Sequence, residues 1–200
     1  MRQLRHLILS VFTNDKVHQI DVSLPYLQSL HLAVFGPRDV EGLRLNNLTS
    51  LRKLAIKASM DFSSLSWSPL NLPRCENLHK LSLGVYMKNF PELDELFPNL
   101  AKLSLKFTEL VQSPLETLKK LPKLKILKLG ERSYEGRQII CSGGPDNFPQ
   151  LEVLEIHDLI WLEVLIVKEG AMPRLKKLSI FECDQLTGIP ERFKNITTAG

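Results

Sequence analysis

The stretch Leu100-Ala101-Lys102-Leu103-Ser104-Leu105 decides the fold. Its last two leucines lie two residues apart, so in an extended strand they point to the same face. Lys102, Ser104 and the following Lys106 point to the other face. A single strand cannot bury its leucines alone. The same Leu-x-x-Leu-x-Leu/Ile pattern occurs at Leu4-Leu7-Leu9, Leu27-Leu30-Leu32, Leu51-Leu54-Ile56 and Leu78-Leu81-Leu83. Beyond Leu105 it returns at Leu124-Leu127-Leu129, Leu151-Leu154-Ile156 and Leu175-Leu178-Ile180. The steps between first leucines are 23, 24, 27, 22, 24, 27 and 24 residues. Strands stacked about 4.8 Å apart would merge their leucines into one continuous core.

A period of about 20–29 residues with this consensus is that of a leucine-rich repeat. The expected fold is therefore an α/β leucine-rich-repeat solenoid, a horseshoe of about eight repeats. A parallel β-sheet lines its concave side, and irregular or short-helical segments return along the convex side. Residues 1–200 form a single domain in this reading. A proline precedes many motifs, at Pro25, Pro98, Pro122, Pro149 and Pro173. Its fixed φ stops a return helix before the next strand. Helical returns are expected over Pro91 to Leu96 and Pro114 to Lys120. Ala58 to Pro73, rich in Ser, Asn and Pro, reads as a loop, as does Gly130 to Pro149. Trp161 to Val167 mimics a motif but follows Leu151 too closely for a full repeat, so it belongs to a convex return. The first motif starts at Leu4 with no cap before it, which predicts a truncation point at the N-terminus. The polar tail from Pro190 to Gly200 reads as a true end.

Composition narrows the function classes. Hydrophobic residues make up 44% and charged residues 24%, as in ordinary folded domains. The net charge of +4 is too small to imply nucleic acid. Cys75, Cys141 and Cys183 are odd in number and widely spaced, a reducing-compartment pattern rather than a disulfide framework. The N-terminus carries no signal-peptide pattern, and no apolar run reaches the roughly 18 residues that span a bilayer. The expectation is a cytoplasmic protein without a membrane contact. The triplets at Asn47 and Asn195 carry no weight without a secretory signal.

Residues 115–193 resemble something narrower than a generic repeat. The segments are Leu118-Lys119-Lys120-Leu121-Pro122-Lys123-Leu124, Ser133-Tyr134-Glu135-Gly136 and Phe148-Pro149-Gln150-Leu151-Glu152-Val153-Leu154. They continue as Glu169-Gly170-Ala171-Met172-Pro173-Arg174-Leu175 and Cys183-Asp184-Gln185-Leu186-Thr187-Gly188-Ile189-Pro190. Together they look like the C-terminal repeats of plant coiled-coil, nucleotide-binding, leucine-rich-repeat disease-resistance receptors. Residues 1–114 match only as irregular repeats. The family often has an aromatic residue where this chain has Leu165. No GxxxxGK[ST] phosphate loop occurs, and Arg137-Gln138 stands where the Lys-Ser/Thr pair would be needed. The resemblance thus implies a recognition region of an innate immune receptor, without its nucleotide switch and without a cofactor. Its implied partner is a pathogen effector or the receptor's own nucleotide-binding domain. A stand-alone scaffold or a ubiquitin-ligase substrate adaptor is the alternative. An extracellular repeat protein would place Asn after each strand. Phe12, Phe35, Ser59, Tyr86, Thr108, Arg132, Leu159 and Cys183 stand there instead.

Alternation assigns the concave side chains. These are His6, Ser29, His31, Lys53, Lys57, Lys80, Ser82, Lys102, Ser104, Lys106 and Phe107. Later repeats add Lys128, Glu131, Val153, Glu155, His157, Lys177, Ser179 and Phe181. Lys53, Lys80 and Lys102 hold one position in three successive repeats, a like-charge ladder that costs stability. Such a ladder suits an acidic partner surface docking on repeats three to six; a solvated lysine face is the plainer reading. Phe107 and Phe181 are candidate aromatic anchors, or else they pack on neighbouring aliphatic stems. The partner-binding set is Lys53, Lys57, Lys80, Lys102, Lys106, Phe107, Lys128, Glu155, His157, Lys177 and Phe181. Arginine is sparse on this face, which argues against nucleic acid. His157 beside Asp158 and Glu155 lacks a placed nucleophile, and no zinc-ligand spacing occurs. Cys183 is expected to point inward as a small core residue. No enzyme is expected.

Overall fold

In six of the repeats the chain turns sharply just before the strand. Where the sequence has Leu24-Pro25-Tyr26-Leu27, the Leu27 N–H donates to the Leu24 carbonyl at 3.1 Å, closing a β-turn with proline second. The same bond closes Leu48 to Leu51, Cys75 to Leu78, Phe97 to Leu100, Phe148 to Leu151 and Met172 to Leu175, at 3.0–3.2 Å. At Pro25, Pro98, Pro149 and Pro173 proline therefore does more than stop a helix, because its fixed φ pre-forms the corner; Thr49 and Glu76 take that place in the other two turns. A computed structural model describes residues 3–10, 24–34, 48–58, 74–87, 89–90 and 92–200. The expected loop over 59–73 lies outside the described residues, as do Pro91, Phe12, Phe35, Ser59 and the Asn47 side of its triplet.

Past the corner, one carbonyl in each repeat accepts two successive N–H groups from the next. Arg5 accepts from Gln28 and Ser29, and Gln28 from Arg52 and Lys53. Arg52 accepts from His79 and Lys80, and His79 from Ala101 and Lys102. The ladder then runs through Ala101, Lys125 and Glu152 to Lys176 and Lys177, all at 2.8–3.1 Å. It starts a parallel sheet of β1 (His6–Ser10), β2 (Ser29–Val34), β3 (Lys53–Ala58), β4 (Lys80–Gly84), β5 (Lys102–Leu105) and β6 (Ile126–Leu129). The sheet continues with β8 (Val153–His157), β10 (Lys177–Phe181) and β11 (Thr197–Ala199), giving nine strands among the described residues. Leu54, Leu81, Leu103, Leu127, Leu154 and Leu178 fall opposite one another across it and are all buried. Burying a leucine is worth roughly 1.5–3 kcal/mol, so repetition supplies the stability that one strand lacks. The solenoid and its concave sheet are as the sequence predicts.

The convex side holds more strand than expected. Helices α1 (Leu93–Leu96) and α2 (Pro114–Leu118) sit inside the two predicted helical returns but are shorter. The segment 130–149, read as a loop, contains β7 (Gln138–Cys141). The convex return around Trp161 contains β9 (Val164–Val167). These two pair in parallel as a separate two-stranded sheet, with Ile139, Cys141, Leu165 and Val167 buried. The tail from Pro190 is also structured: a 3-10 helix over Glu191–Ile196 leads into β11, which adds to the main sheet beside β10.

Two local contacts hold the later returns in place. The Tyr134 hydroxyl donates to the Gln138 carbonyl at 2.8 Å, arching over Gly136. A Cβ at Gly136 would lie 2.1 Å from that hydroxyl oxygen, so only glycine leaves room for the arch. Glu116 on α2 accepts hydrogen bonds from Lys119 at 2.6 Å and from the Ser142 N–H and hydroxyl. Burial pushes its carboxyl up, but the Lys119 ammonium and the two Ser142 donors outweigh this and hold it below its ordinary value. Cys141 beside this cluster has its thiol pushed up to about 11, by burial first and the Glu116 charge second. It is a core residue, not a nucleophile.

Two predictions follow from these contacts. Gly136→Ala displaces the Tyr134 ring and lowers stability by about 1–3 kcal/mol in urea unfolding, and Tyr134→Phe with Gly136→Ala loses less than the sum. Because the folded Glu116 carboxyl is depressed, its contribution is present above the unfolded carboxylate value and is lost as pH falls through the folded one. Glu116→Gln therefore lowers the melting temperature at neutral pH, and the difference from wild type closes in acid.

Candidate functional site

The concave side chains form three rows, set by the parallel register. The first runs His6, Ser29, Lys53, Lys80, Lys102, Ile126, Val153, Lys177. The second runs Ile8, His31, Ala55, Ser82, Ser104, Lys128, Glu155, Ser179, Thr198. The third contains Lys57 opposite Gly84, then Lys106, Gly130, His157 and Phe181.

The predicted lysine ladder is real as geometry. Lys53 pairs with Lys80, and Lys80 with Lys102, on adjacent strands. Ammonium groups on neighbouring strands repel, and nothing in the core requires lysine there. The ladder ends where Ile126 and Val153 replace lysine, and Lys177 restores the charge at β10.

A groove of about 350 Å³ opens across repeats five to eight, overlapping only the last two of repeats three to six. Its first row contributes Lys177, its second Ser104, Lys128, Glu155 and Ser179, and its third Lys106, Gly130, His157 and Phe181. Gly130 replaces the long third-row side chain, and the Lys106 stem lies across it. A Cβ there would come 2.8 Å from the Lys106 Cγ. The Phe181 ring is 37% exposed, and one side lies 3.2 Å from where a Gly200 Cβ would sit. Phe181 thus presents apolar surface to the groove, with the backbone of Gly200 near its ring.

Charges within the groove are unevenly paired. Lys128 and Glu155 form an ion pair across β6 and β8. His157 Nε2 lies 3.0 Å from a carboxylate oxygen of Glu182. Among the described residues, Lys106 and Lys177 have no carboxylate within ion-pair distance. The lining therefore carries three lysines against one glutamate.

One sequence assignment changes. Phe107 was placed on the concave face by continuing the strand, but β5 stops at Leu105 and Phe107 takes φ +53°. Its N–H donates to the Glu131 carbonyl of the next repeat, and it does not line the groove. Arg132, Asp158 and Glu182 take the same left-handed φ after their strands, so the alternation rule ends there in these four repeats. Cys183 is half-buried, packs against the core and places its Sγ 3.4 Å from the Phe181 carbonyl. Gly130 and Glu182 were missed. The signal for Gly130 was present, since glycine falls where Lys57, Lys106, His157 or Phe181 stand in other repeats.

The groove is not arranged for catalysis. His157 pairs with Glu182 rather than with Asp158 or Glu155, and the nearby Ser179 hydroxyl takes no hydrogen bond, so no base activates it. Among the described residues no His, Cys, Asp and Glu cluster could hold a metal ion. No helix among them is long and apolar enough to cross a membrane.

The sequence profile of the leucine-rich repeat region matches residues 40–195. Disease resistance protein RPP8 of Arabidopsis thaliana is 31% identical over 99% of this chain, which covers 24% of that protein. Disease resistance RPP8-like protein 3 of the same plant is 38% identical over 61% of the chain and 13% of its own length. Probable disease resistance protein At1g59620, also from Arabidopsis thaliana, is 33% identical over 99% of the chain and 25% of its own length. The chain thus spans a quarter or less of the curated relatives it matches. Repeat register, corner chemistry and similarity agree, and the chain belongs to the leucine-rich-repeat region of plant disease-resistance proteins.

Proposed function

We propose that this chain is the partner-sensing repeat region of a plant intracellular immune receptor and that it binds an acidic protein surface on its concave face. The observation that carries this reading is the adjacency of Lys53, Lys80 and Lys102, with Lys57 and Lys106 alongside in the third row. The sheet bears their mutual repulsion without structural return, and an acidic partner would relieve it. The partner is a pathogen effector or the receptor's own nucleotide-binding region, and the setting is the cytoplasm. In the second case a ligand that competes for the face would shift the receptor from its restrained state.

The test is charge reversal at Lys53, Lys80 and Lys102 to Glu in the full receptor, read by co-precipitation with its nucleotide-binding region or effector and by the leaf defence response. Binding is expected to fall at least about tenfold and the response to change. Reversal of Lys168, which is exposed and follows convex strand β9, is expected to leave both unchanged. Equal behaviour of the two variants would remove the concave face from the account.

A further inference from the structure

Ser179 is out of place for a concave row. It is 2% exposed, and its Oγ has no hydrogen-bond partner. Buried hydroxyls are nearly always paired, and leaving one unpaired costs about 1–3 kcal/mol. Its second-row neighbour on β8 is Glu155, whose Oε2 pairs with Lys128, and no hydrogen bond links Glu155 to Ser179. Two residues to either side on the same strand stand Lys177 and Phe181, and all three line the groove. Lys106 reaches the same groove across Gly130.

An unpaired donor at the floor, ammonium groups without carboxylate partners at the rim and a half-exposed ring beside them are complementary to one kind of group. We propose that this groove is a carboxylate subsite, taking an acidic side chain of a protein partner whose neighbouring apolar side chain packs on the exposed side of Phe181. The Ser179 hydroxyl donates to the carboxylate, and Lys177 and Lys106 supply the countercharge. Lys128 neutralises Glu155, the β8 neighbour of Ser179, so that carboxylate does not oppose an incoming anion. This rests on the concave-face reading above and narrows it, since it assigns a specific contact to the later repeats rather than a diffuse field to the earlier ones.

The experiment uses the full 200-residue chain, isotope-labelled for NMR, with two blocked peptides as probes: acetyl-Leu-Glu-Leu-amide and acetyl-Leu-Gln-Leu-amide. The acidic peptide is expected to shift the Ser179, Lys177 and Phe181 signals saturably, and the neutral one to shift them much less. Ser179→Ala is expected to weaken the acidic peptide about fivefold while leaving the melting temperature equal or higher, because it deletes an unpaired hydroxyl. Lys177→Gln should weaken it as well. If Ser179→Ala lowers the melting temperature and leaves affinity unchanged, Ser179 is a packing residue and the subsite is wrong. Equal binding of the two peptides also overturns it. Shifts confined to Lys53, Lys80 and Lys102 overturn it too, but leave the concave-face reading standing.

Discussion

The structure depends on the carbonyl at each corner that accepts two N–H groups from the next repeat. This contact locks successive strands into one register, from Arg5 to Glu152. With register fixed, every apolar position two residues apart meets its equivalent, and the leucine core becomes continuous. A slip of one residue at any corner would turn the leucines of that strand outward. Where proline stands second in the turn, at Pro25, Pro98, Pro149 and Pro173, it makes the corner cheap to form, since it restricts the chain where the bond must close.

The same register turns sequence into surface. Side chains on the concave face have no freedom to choose their neighbours; each is flanked by the equivalent residues of the repeats on either side. Lysines one repeat apart therefore repel, and lysine followed by glutamate, as at Lys128 and Glu155, makes an ion pair. Glycine in a row opens a hollow. The groove on β5 to β10 arises in this way, from Gly130 beside the long side chains of Lys106 and Phe181 rather than from any inserted loop. A recognition face can thus be rewritten by single substitutions while the core is unchanged.

Much of this was legible in the sequence, because period 2 within strands and period 22–27 between them are strict. Lys53, Lys80 and Lys102 could be aligned from spacing alone. The convex pair β7 and β9 could not, since each is four residues long and its partner lies a full repeat away. Phe107 was misplaced because alternation was carried past Leu105, where the backbone turns left-handed. Ser179 was correctly put on the concave face. Its burial was not legible, because β11, which brings Thr198 alongside it, forms from a tail that reads as a polar end.

The account stands or falls on one continuous register, and amide hydrogen exchange tests it most directly. The N–H groups of Lys53, Lys80, Lys102, Ile126, Val153 and Lys177 each donate to a corner carbonyl of the preceding repeat. The account predicts that all are strongly protected and that they lose protection together as denaturant is raised. Free exchange at Lys53 and Lys80 with protection retained from Ile126 onward would contradict it, because the lysine ladder and the groove would then not belong to one sheet.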